Sequence, residues 1–147
     1  MALRLSTGAR NGLLGASGLE TLFNGGKIRI YSGAQPASAD YAETGSLLVT
    51  ITTASGTAST SGLVFGTAAN GVIPKESSVW SGLITAGGNA GWFRLYGTAG
   101  TTGSSSTEVR MDGNVGVSGS DLVLANPALV LNATLTLDQF SLTQANQ

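Results

Sequence analysis

Asp40 and Glu43 stand close together in the stretch ADYAET, in a chain with only eight carboxylates. Two facing carboxyl groups could serve as the acid and base of glycoside hydrolysis. Both fall in a long segment without strand character, where a polar loop residue explains each of them equally well. The other carboxylates come one per strand or turn. Histidine and cysteine are absent. That removes Ser-His-Asp and Cys-His catalysis, the usual zinc and iron ligands, and disulfides. Asp112-Gly113-Asn114 reads as a hairpin turn, because Asp-Gly favours one strongly. It lacks the alternating oxygen ligands of a calcium loop. Asn132-Ala133-Thr134 matches a glycosylation acceptor, but is expected to be unused in a protein assembled in a cytoplasm. The expectation is therefore no enzyme, no metal and no cofactor.

The aromatic residues offer a second kind of chemistry. Trp80, Trp92 and Tyr96 could line a sugar platform. In the run GWFRLYG, Trp92, Arg94 and Tyr96 share one strand face and Phe93 and Leu95 the other. Trp, Tyr and Arg are also the commonest interface anchors, and a Trp in a sandwich core is the plainest reading of all. A similar stripe appears in KIRIYS, where Lys27, Arg29 and Tyr31 oppose Ile28 and Ile30. Burial of the two isoleucines leaves the basic face either solvated or docked.

Composition favours docking. Charged residues are 10% of the 147, against roughly 25% in ordinary soluble domains. Gly, Ala, Ser and Thr together number 74. Interface cores are depleted in charge, whereas free monomers keep charges interspersed over the surface. Leu, Ile, Val and Phe number 36, which is too many for a disordered chain of so little net charge. The net charge of −1 gives no reason to expect nucleic acid or an anionic membrane as partner. No apolar run approaches the roughly 18 residues of a membrane span. The N-terminus has no continuous apolar stretch of the signal-peptide kind.

These side chains must be positioned mainly by strands. After Lys27 the chain shows short β-type runs separated by Gly, Ser and Asn: KIRIYS, SLLVTITT, GLVFG, GVIP, SVWSGLI, GWFRLYG, TEVRMDG, NVGVSG, DLVLAN and ATLTLDQFSLT. The phase of the last shifts between Leu137 and Phe140, as a bulge requires. Such spacing predicts an all-β, antiparallel sandwich, jelly-roll-like in arrangement. Ser17 with Glu20 fits a capping box and Gly25-Gly26 a helix stop, so a short helix is predicted over Ser17–Asn24. Gly8, Gly12 and Gly15 make the preceding segment a poor helix, leaving an extended arm anchored by Leu3 and Leu5. The expected organisation is an arm and short helix over 1–24 and a sandwich over 25–147. The segments SGAQPASADYAETGS and GTAGTTGSSST read as loops, the second linker-like.

The stretches LSTGARNGLL, GGKIRIYSGAQPASADYAETGSLLVTIT, VFGTAANGVIPKESSVWSGL and AGWFRLYG resemble a family of small virion structural proteins of tailed bacteriophages. The resemblance covers most of the chain and rests on general sequence character, not on a catalytic signature. It implies a non-enzymatic β-sandwich protein of the phage particle, assembled in the host cytoplasm. The favoured role is a capsid decoration or cement protein that binds the major capsid protein or other virion subunits, itself a homo-oligomer and most simply a trimer. A tail or head-tail component, or a carbohydrate-binding module of a tail fibre or adhesin, are the alternatives. The residues themselves nominate Leu3, Arg4, Leu5, Arg10, Leu13, Lys27, Arg29, Tyr31, Trp92, Arg94 and Tyr96 as interface candidates. The arm in particular is expected to lay its leucines on a neighbouring subunit.

Overall fold

The computed structural model describes residues 3–15, 17–53 and 61–144. The chain is all-β and sandwich-like with two short helices. In order, the elements are β1 (Arg4–Leu5), α1 (Thr7–Leu14), α2 (Leu19–Phe23), β2 (Lys27–Ser32), β3 (Leu47–Ile51) and β4 (Val72–Pro74). There follow β5 (Trp80–Leu83), β6 (Gly88–Tyr96), β7 (Arg110–Gly116), β8 (Leu122–Val123), β9 (Ala128–Leu129), β10 (Thr134–Leu137) and β11 (Ser141–Thr143). The main sheet runs β1-β7-β6-β2-β3, with β8 on β7 and β9 on β6. Its pairs are antiparallel except β7 with β8. Two smaller pairs, β5 with β10 and β4 with β11, complete the β structure. Isolated bridges from Val49 to Ile84 and from Thr52 to Ser81 lead the main sheet into β5.

The alternation in β2 does what its sequence requires. Ile28 and Ile30 are fully buried, in register with Leu95 and Phe93 of β6. They join the main core with Phe65, Trp80 and Phe140. The Phe65 ring stands edge-on to Trp80, and the Phe93 ring edge-on to Phe140, an arrangement aromatic quadrupoles favour.

Three local expectations give way to tertiary packing. First, the segment with three glycines is helical. Ser6 caps α1, its Oγ accepting from the Ala9 amide at 3.1 Å. The glycines are there for contact: a Cβ on Gly8 would sit 2.3 Å from the Thr107 carbonyl oxygen, and one on Gly12 2.6 Å from a Leu22 methyl. The second helix starts after Gly18 with no side-chain cap, so the Ser17–Glu20 capping box does not form. Second, Asp112-Gly113-Asn114 is no turn but the middle of β7. Gly113 admits the Phe93 ring, where a Cβ would lie 2.5 Å from a ring carbon. Third, the phase shift near Leu137 separates two strands of different sheets, with β10 ending before Asp138 and β11 starting at Ser141. Of the GLVFG run only Phe65 pairs, as an isolated bridge.

Candidate functional site

The core face of the main sheet is apolar; the opposite face carries Lys27, Arg29, Arg94, Arg110 and Asp112. Lys27, Arg29 and Tyr31 of β2 lie in register with Tyr96, Arg94 and Trp92 of β6. Those three in turn face Arg110, Asp112 and Asn114 of β7. Strand alternation therefore brings onto one surface side chains that stand two apart in each sequence run. The two Gly/Ser-rich loops, 33–46 and 97–109, close over them.

Arg94 and Asp112 are fully buried. Arg94 donates through Nε and Nη2 to the two Asp112 oxygens at 2.6 and 2.8 Å. Its Nη1 reaches the first loop, donating to the Tyr41 carbonyl and to Glu43 Oε1, both at 3.0 Å. Glu43 also accepts from the Tyr96 hydroxyl at 2.6 Å and the Gly103 amide at 2.9 Å. Arg110, also fully buried, donates to the carbonyls of Gly103 and Thr101 at 2.7 and 2.6 Å. One acid thus ties the first loop to the second, and two arginines tie both to the sheet. Trp92 stacks on Tyr31 with centroids 4.6 Å apart and donates from Nε1 to the Thr44 carbonyl. Lys27, Arg29 and Arg110 each lie within 6 Å of the Tyr96 ring centroid, close enough for cation–π attraction.

Burial pushes the Asp112 carboxyl above its ordinary value, against the pull of Arg94 and Arg110. Both its oxygens accept N–H donors, so the pair is ionised at neutral pH. For Arg94, burial opposes the cation, and pairing with Asp112 more than offsets it, raising its pKa. Burial, followed by the bond to Glu43, raises the Tyr96 phenol. Glu43 goes the other way: burial lifts it, but the Gly103 amide, the Tyr96 hydroxyl and Arg94 hold it below the ordinary carboxylate range.

Asp40 and Glu43, the acid–base pair considered from the sequence, are each engaged elsewhere. Asp40 receives the Thr7 amide at 2.7 Å and the Thr7 hydroxyl at 2.6 Å, anchoring the first turn of α1 where a negative charge is favoured. Among the described residues no cluster of three or more His, Cys, Asp or Glu side chains could hold a metal ion.

Tyr31, Trp92, Arg94 and Tyr96, nominated as interface residues, are covered by the chain's own loops and present no surface to a partner. Lys27 and Arg29 are half-buried at the margin of the same layer. The arm is also an internal element: Arg4 and Leu5 pair with Asp112 and Met111, and Leu3 and Leu5 pack on the main core. Arg4 is exposed and donates to the Pro36 carbonyl at 2.6 Å. Arg10 is exposed and Leu13 half-buried on α1. Met1 and Ala2 of the expected arm lie outside the described residues. Trp80, the remaining member of the suggested sugar platform, is fully buried too.

Ser6 and Arg110 were not picked out as site residues by sequence, and Asp112 was read only as part of a turn. A signal existed: Arg110, Asp112 and Asn114 alternate in RMDGN as Trp92, Arg94 and Tyr96 do in GWFRLYG. The Asp-Gly pair masked it.

No family model, curated protein or solved structure matches the chain.

Proposed function

We propose that this chain is a non-catalytic structural protein of a phage particle, a decoration or cement subunit that binds coat subunits of the head. One observation carries the reading. The sequence has seven basic and eight acidic residues, and of these only Arg4, Arg10 and Asp138 are exposed. Among the described residues nine large apolar side chains are exposed, led by Leu14 at 87%, Val130 at 67% and Val117 at 62%. A free protein normally keeps the opposite balance. Arg94, Arg110, Asp112 and Glu43 are taken up in fixing two loops, and the outer surface is left poor in charge, as suits a subunit covered by neighbours. The family resemblance points the same way.

A tail or head-tail location draws on the same surface argument. A carbohydrate-binding role finds less support, because Trp80, Trp92 and Tyr96 are all buried. A hydrolytic role likewise loses its candidates, since Asp40 and Glu43 are engaged by Thr7, Arg94, Tyr96 and Gly103.

The test is to purify intact particles of the phage that encodes the chain, identify the protein by mass spectrometry, and image it in place. The expected result is a stoichiometric component on the head lattice. Its absence from particles that are infectious and complete would overturn the reading.

A further inference from the structure

The exposed charges lie at two separate places. Arg4 and Arg10 belong to the N-terminal segment, Asp138 to the break between β10 and β11. On α1, Arg10 and Leu14 are four residues apart and share a face. Leu14 is 87% exposed, so it contributes little to the fold of its own chain. Elsewhere, a groove of about 630 Å³ runs between the segment 121–126 and the segment 135–141. Its apolar surface comes from the exposed Val123 and the half-buried Leu135, over Leu122 and Leu137 of the buried core, with Asp121 and Asp138 also on its walls. Lys75 shares an adjoining pocket with Asp138, but its ammonium donates to the carbonyls of Glu76 and Ser78.

We propose that α1 of one copy docks in this groove of a second copy. Leu14 enters beside Val123 and Leu135, and Arg10 pairs with Asp138 at the rim. The exposed cation beside the exposed leucine thus meets the exposed anion beside the apolar groove. The contact rests on the reading of the chain as an assembly subunit, and it names the surfaces through which copies join. Helix α1 packs at the Arg110 end of β7, with Gly8 against Thr107 and Glu108. The groove opens past the Gly116 end, through β8. The two surfaces sit at opposite ends of one strand, so copies either exchange the contact reciprocally about a two-fold axis or repeat it head to tail into a ring.

Sedimentation of the full chain, with Arg10→Glu, Asp138→Arg, Leu14→Asp and the double swap Arg10→Glu/Asp138→Arg, tests this. The wild type should be a closed oligomer at micromolar concentration. Each single substitution should weaken association by about tenfold or more, and the double swap should restore it to within a few-fold, because a reversed ion pair replaces the original. Circular dichroism checks that every variant folds; all three positions are exposed. A stable oligomer indifferent to the single substitutions would overturn this interface and leave the assembly reading standing. A wild-type monomer that still binds phage particles would overturn self-docking and leave the virion reading intact. A double swap as weak as its worse single would remove the Arg10–Asp138 pairing.

Discussion

Arg94 and Asp112 face each other across β6 and β7, and each is completely shielded from solvent by loops of their own chain. Losing either partner leaves the other charged and buried, which is the costly way to break an ion pair. Asp112→Ala is expected to destabilise the protein by about 3–5 kcal/mol. The double substitution Arg94→Met/Asp112→Leu should recover much of that loss, since an apolar pair leaves no charge behind. Urea denaturation of Asp112→Ala, Arg94→Met and the double variant reads the difference directly. A double variant less stable than either single would show that the loops, not the pair, decide.

Ser6 holds two distant stretches of chain together through one hydroxyl. Its Oγ donates to the Glu108 carbonyl at 2.7 Å and accepts the amides of Ala9 and Arg110 at 3.1 and 2.9 Å. Ser6→Ala removes the α1 cap and leaves buried backbone groups unpaired, for about 2 kcal/mol in total. Thermal unfolding should then begin several degrees lower. An unchanged transition would mean that water reaches these groups without cost.

Gly113→Ala drives a methyl into the Phe93 ring, 2.5 Å from a ring carbon. The expected loss is about 1–3 kcal/mol from overpacking. Pairing it with Phe93→Leu should return part of the loss, since the smaller side chain makes room. If Gly113→Ala is neutral by chemical denaturation, the ring is free to move aside.

Acid should loosen the two loops. The carboxyls of Asp40 and Glu43 are held below their ordinary values of 3.8 and 4.5. In each case burial pushes the group up, and hydrogen bonds outweigh it: those from Thr7 for Asp40, those from Gly103 and Tyr96 for Glu43. The unfolded chain takes up these protons first. Their stabilisation is therefore complete above the ordinary values and is lost as pH falls through the lower folded-state ones. Asp112 has the opposite sign, because burial raises it. Glu43→Gln should lower stability at neutral pH and flatten its decline between about pH 5 and about pH 3. Urea midpoints across that range that run parallel for wild type and variant would contradict the assignment.

Strand β2 was legible at both ends because local and tertiary demands agree there: isoleucines inward, polar residues outward, a glycine pair before. The positions that misled are those where a neighbour distant in sequence sets the terms. Asp112-Gly113 has the chemistry of a turn, yet the Arg94 side chain needs the carboxylate and the Phe93 ring needs the missing Cβ. The glycines of α1 are penalised by helix propensity, yet they let the helix lie against Thr107, Glu108 and Leu22. The charged layer could be read only in part. Alternation puts Trp92, Arg94 and Tyr96 on one face, but nothing local says that a Gly/Ser segment will fold back and cover them.

Residues made far apart in time meet in one place. The Arg110 amide donates to Ser6 Oγ across 104 residues of sequence, and β1 finds its partner strand only in β7. At ribosomal speeds of about 5–20 residues per second, the first strand made waits several seconds for its mate. Meanwhile β2 waits for β6 as well. The nascent chain therefore emerges with few charges and its leucines uncovered, and the sheet closes only once β7 has been made. A chaperone has its opportunity in that interval.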